Sequence, residues 1–133
     1  MDINTNIIVK LQIEGFHNWP DAKTIVPEMA FLSDRHRHIF HIECRKKVNH
    51  DDRDIEIIMF KRQVIQYLSK VYGSIIGGCE FGAKSCEQLA AELMMEFKLE
   101  YCSVLEDNEN GAEVIKEKPM SFDELVRTPF GMK

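Results

Sequence analysis

Two stretches of this chain alternate apolar and polar residues, and that period of two restricts the possible folds more than any other feature. From Asn6 to Glu14, Ile7, Val9, Leu11 and Ile13 share one face, opposite Ile8, Lys10, Gln12 and Glu14. That is the signature of a half-buried strand. From His36 to Val48 the pattern returns, with His36, His38, Phe40, Ile42, Cys44 and Val48 on one side. Arg37, His41, Glu43, Arg45 and Lys47 occupy the other, and Ile39 is its one apolar exception. His36 and His38 are therefore expected on the apolar side, His41 on the solvent side and His50 in a loop.

Helical spacing takes over from Ile55 to Tyr72, where Ile57, Val64, Leu68 and Val71 recur before Gly73 ends the run. The glycine-punctuated GSIIGG that follows lacks the GxxxxGK[ST] pattern of a phosphate loop and is expected to be a plain connection. Ser85 can cap a second helix while Gln88 reaches back, and Leu89, Leu93 and Phe97 line its face with Ala90 and Met94. Alternation resumes from Glu100 to Glu106, DNENG signals a hairpin turn, and Ala112 to Lys116 is the returning strand. After Pro119, Ser121 and Glu124 form a small capping box that predicts one helical turn. The expectation is an α+β fold: a four-stranded antiparallel sheet with two helices on one face, in the order ββααββ. Residues 1–118 would form the single domain and 119–133 a tail, a size that suits the 133-residue chain.

Composition narrows the function. A net charge of −5 argues against nucleic acid or a membrane surface as partner, because each needs a basic face. No run approaches the roughly 18 apolar residues of a membrane span, and the first residues lack the charge and apolar length of a signal peptide. The four cysteines, Cys44, Cys79, Cys86 and Cys102, form no CxxC pair and read as reduced, mostly buried thiols. A cytoplasmic protein is expected.

Histidines carry the chemistry. Residues two apart on a strand project from one face with Cα atoms about 6–7 Å apart, so His36 and His38 can converge on one cation. His17, after the first strand, is the natural third ligand. Three imidazoles with an open fourth position describe a catalytic or ligand-polarising zinc, though other divalent transition metals accept the same donors. Glu106 points to the core side at a strand end. It either meets a pair of N–H donors there or turns into solvent. Glu87 in the first turn of a helix is accounted for by the helix dipole.

These pieces resemble the 6-pyruvoyl-tetrahydropterin synthase and 6-carboxytetrahydropterin synthase family, the T-fold. Its pattern is matched by His17, His36-Arg37-His38, Ser85-Cys86-Glu87 followed by QLAAEL, and VLED with Glu106, in order between Asn6 and Lys116. The resemblance implies that His17, His36 and His38 hold zinc. It implies that Glu106 accepts two N–H bonds from a pterin, purine or nucleotide-like heterocycle, and that Ser85, Cys86 and Glu87 line the same pocket. It also implies a homo-oligomeric ring, with a hexamer among the sizes open. Short phage-type members are similar in outline. Three features depart from the family. Leu32 stands where its lyases carry a cysteine, and Val71 to Phe81 holds no Asp-His pair. Arg37 replaces the glycine of HGH, placing a positive charge where a ligand anion could meet it.

Three functions compete on this basis. The first is a metal-binding protein that binds or sequesters the heterocycle without the synthase reaction. The alternative is a zinc-dependent lyase or hydrolase with altered catalytic residues, using zinc-bound water with Glu87 or a neighbouring subunit as base. A structural protein whose histidines merely pack ranks last.

Overall fold

The computed structural model describes residues 3–73 and 77–117. Its elements run β1 (Thr5–His17), α1 (Ala22–Ile25), a 3-10 helix (Pro27–Ser33), β2 (His36–Val48), α2 (Ile57–Tyr72), β3 (Cys79–Gly82), α3 (Cys86–Phe97), β4 (Tyr101–Glu106) and β5 (Asn110–Ile115). The expected tail helix at Ser121–Glu124 lies outside the described residues, as does the centre of GSIIGG.

The sheet corrects the expected architecture. It has five strands, not four, in the order β3-β1-β2-β4-β5. It is also mixed, because β3 runs parallel to β1 while the other pairs are antiparallel. With α1 and the 3-10 helix there are four helical segments among the described residues, so the order is not ββααββ. The extra strand has a local cause. Cys79 and Phe81 are buried while Glu80 and Gly82 are exposed, two alternations that become a strand only because the end of β1 is there to pair with.

The long alternating strands pair along their full length, Thr5 with Val48 through to His17 with His36. One sheet face carries the core: Val9, Leu11, Ile13, Phe40, Ile42, Cys44, Cys102 and Val104, covered by Phe60, Val64 and Leu68 of α2 and Leu89, Ala90 and Leu93 of α3. Each Val, Leu, Ile or Phe among them contributes about 1.5–3 kcal/mol by leaving water. Gly15 sits where a Cβ would strike the Phe81 ring and lie 2.8 Å from Phe40, so only glycine lets those two rings meet under the sheet. No helix among the described residues is long and apolar enough to cross a membrane.

Two terminators matter for the site. Ser85 caps α3 by accepting from the Gln88 amide, and Gln88 returns the bond to the Ser85 N–H. The turn after β4 carries Asp107 and Asn108 at φ +55° and +58°, a conformation that Asp and Asn tolerate better than most side chains. It closes with the Glu109 N–H donating to the Glu106 carbonyl.

Candidate metal centre and adjoining cleft

His17 is the last residue of β1 rather than a residue beyond it, and it lies directly opposite His36 in the β1–β2 register. His38 follows two residues along the same face. The ligand atoms of the three rings lie within 4.8 Å of one another. Ring centroids are 4.6 Å apart for His17–His36, 5.4 Å for His17–His38 and 5.1 Å for His36–His38, with each pair steeply inclined. Three histidines therefore lie close enough to bind a metal.

Their hydrogen bonds fix which nitrogen is available. His17 Nδ1 is 3.0 Å from the Lys84 carbonyl, and His36 Nδ1 is 2.8 Å from the Asp34 carbonyl. A carbonyl only accepts, so both Nδ1 atoms carry the proton. His38 Nδ1 donates to the Asp107 carboxylate at 2.7 Å. In each neutral ring the Nε2 lone pair is then free, the arrangement that orients metal-binding imidazoles elsewhere. Asp107 is itself held: its other oxygen accepts from the Ile39 N–H at 2.9 Å. That bond, with the one from His38, keeps its carboxyl below the usual range.

Burial supports the same state. His17 is 8% exposed, and desolvation pushes its pKa below the ordinary 6.5 against the opposing pull of the Lys84 carbonyl and Glu106. Its Nε2 is buried without a hydrogen-bond partner. Glu106 Oε2 approaches it to 3.0 Å, yet outside hydrogen-bonding geometry. Such an orphaned nitrogen is costly unless something electrophilic occupies the space before it. The residues present thus fit a cation. Phe40 forms the apolar floor, its ring 5.1 Å from His17 and 5.8 Å from His38, with the Phe81 ring packed edge-to-face against it at 5.0 Å.

Beside the histidines opens a cleft of about 500 Å³, lined by His17, His36, Asn18, Trp19, Leu32, the stretch Ala83–Glu87, Glu106 and Asn110–Ala112. Ser85, Cys86, Glu87 and Glu106, the residues expected to line a ligand pocket, are all on its wall. Arg37 is not. It points to the opposite face of the sheet and pairs with Glu14. His41 is half-buried on that opposite face and His50 is exposed in the loop after β2. Leu32, in place of the family's cysteine, lines the cleft. Cys86 donates weakly to Glu106 at 3.7 Å, and burial, then the Glu106 charge, pushes its thiol up to about 12. It is a protonated donor, not a thiolate. Cys79 lies in the core, its thiol pushed up to about 11 by burial.

Three contributors escaped the sequence reading. The Asp34 and Lys84 carbonyls left no trace, because any residue type supplies a backbone oxygen. Asp107 did leave one: it follows Glu106 directly, and Glu106 pairs with Phe40 on β2, two residues from His38. No protein-family model matches this sequence, and no curated protein matches it.

Proposed function

We infer that the protein binds a divalent transition metal, zinc for preference, and holds a pterin, purine or nucleotide-like heterocycle in the cleft beside it, without carrying out a synthase reaction. The observation that carries this is the set of three imidazoles whose Nδ1 atoms are each committed to an oxygen acceptor, leaving three Nε2 lone pairs at one spot. His17, His36 and His38 would hold the metal. When bound it supplies a Lewis acid at the cleft wall. Kinship with the tetrahydropterin synthases belongs to this reading, supported by the way residues scattered from His17 to Glu106 gather at one cleft.

The wall chemistry supports recognition of a flat heterocycle with N–H donors. Glu106 offers two acceptor oxygens, and Trp19, 39% exposed at the rim, offers a face for a ring. What argues against the synthase reaction is the cleft wall among the described residues: Leu32 cannot supply a nucleophile, and the Cys86 thiol stays protonated at neutral pH. Assembly into a homo-oligomer is part of the same proposal. The sheet face opposite the core leaves Ile8 and Ile115 50% and 60% exposed, in one row with Arg45 and Tyr101.

Calorimetric titration of zinc-loaded protein with guanine, guanosine and pterin tests the binding claim. One or more should bind with a stoichiometry near one per chain, and silence from all of them would refute it. Incubation with dihydroneopterin triphosphate tests the second half: the substrate should survive, and its conversion by pure protein would overturn the non-catalytic reading.

A further inference from the structure

Glu106 stands closer to the histidines than a residue reserved for ring recognition needs to. Its Oε2 is 3.0 Å from His17 Nε2, and its Oε1 is 3.4 Å from His38 Nε2. The tautomers argued above make both of those nitrogens lone-pair bearers, because their Nδ1 atoms donate to the Lys84 carbonyl and the Asp107 carboxylate. A carboxylate oxygen is also only an acceptor. Two acceptors facing at 3.0 Å repel unless a cation lies between them, and the His17 nitrogen has no hydrogen bond to relieve it.

We propose that Glu106 is a fourth metal ligand, bound in the absence of a heterocycle and released from the metal when one enters the cleft. The proposal rests on the metal and heterocycle reading above and extends it to regulation of that site. One carboxylate then does two things in turn. Alone, the site is closed by three imidazoles and a carboxylate, a saturated set of the kind that holds zinc firmly. A heterocycle presenting paired N–H donors draws the carboxylate away and exposes the fourth position on the side facing the cleft. Cys86 donates only weakly to Oε2, at 3.7 Å, and the Glu106 side chain is 30% exposed, so the group has room to turn. Metal affinity and heterocycle affinity are coupled through this residue, and linkage requires each to weaken the other by the same factor.

Cobalt(II) replaces zinc as the probe, because its visible absorption reports the number and type of ligands. The wild-type protein should bind Co2+ with the intense bands of a four-coordinate site, and X-ray absorption should show three nitrogens and one oxygen. In the Glu106→Gln variant, with its fold checked by circular dichroism, Co2+ should bind about tenfold or more weakly and with an altered spectrum. Adding the tightest-binding heterocycle to the wild type should move its spectrum toward that of the variant. Unchanged Co2+ affinity and spectrum in Glu106→Gln would overturn the fourth-ligand proposal while leaving the three-histidine site intact. Failure of the wild type to bind Co2+ at all would instead overturn the metal reading itself.

Discussion

Each imidazole at the centre is aimed by an oxygen behind it, and those oxygens carry testable weight. Asp107 is the one supplied by a side chain. Replacing it with Ala frees the His38 ring and removes its Nδ1 acceptor, so zinc affinity should fall about 10–100-fold in a competition titration with a chelator. His41→Ala, on the other sheet face, should leave affinity unchanged. A second prediction concerns Gly15. An added Cβ there meets Phe81 and comes within 2.8 Å of Phe40, the floor of the site. Gly15→Ala should therefore lower stability by about 1–3 kcal/mol in denaturant titration, since rings packed on both sides have nowhere to retreat. At this scale the histidines were readable in the sequence because strand alternation dictates direction: His36, His38 and Phe40 must share a face. The same alternation puts Arg37 on the far side of the sheet beside Glu14, so the expectation that its charge would meet a ligand does not hold. The orienting partners were not readable, because a carbonyl oxygen has no residue type and Asp107 is indistinguishable from any other turn aspartate until the turn meets Ile39.

Helix α3 brings Cys86 and Glu87 to the cleft, and its start is set by a cap visible in the sequence. Ser85→Ala removes the acceptor for the Gln88 amide and should cost about 0.5–2 kcal/mol, read as a shift in urea midpoint. Between the helices, Glu92 of α3 accepts from Tyr67 at 2.5 Å and from Tyr72, and pairs with Lys84 at 3.3 Å. Burial opposes its ionisation, yet those three donors prevail and hold its carboxyl below the ordinary 4.5. A lowered folded pKa means stability present above the unfolded value and lost as pH falls through the folded one. The thermal midpoint should therefore drop as pH is taken below 4.5, and Glu92→Gln should flatten that drop. A drop of equal steepness in the variant would assign the effect to other carboxylates. The long strands and both long helices were foreseeable because their periods run over many residues. Strand β3 was not: four residues give two alternations, and its parallel pairing is decided by Phe81 packing under Gly15, a contact between positions 66 residues apart in the chain.

The described residues form a mixed five-stranded sheet whose two long strands, β1 and β2, meet at the three-histidine cluster, with a helix-covered core on one face and a half-open face on the other. A cation bound only by the folded chain adds RT ln(1 + [M]/Kd) to stability, about 2.7 kcal/mol at a hundredfold excess over Kd. Stripping metal with a chelator should thus lower the unfolding temperature by several degrees, and added zinc should restore it. All of this depends on β1 and β2 placing three imidazoles around one cation. Elemental analysis of purified protein by inductively coupled plasma mass spectrometry tests it most directly, with His36→Ala measured beside the wild type. About one transition-metal ion per chain in the wild type, and almost none in a folded His36→Ala variant, is the outcome expected. A metal-free wild type that stays empty after incubation with zinc, or equal metal in both proteins, would contradict it.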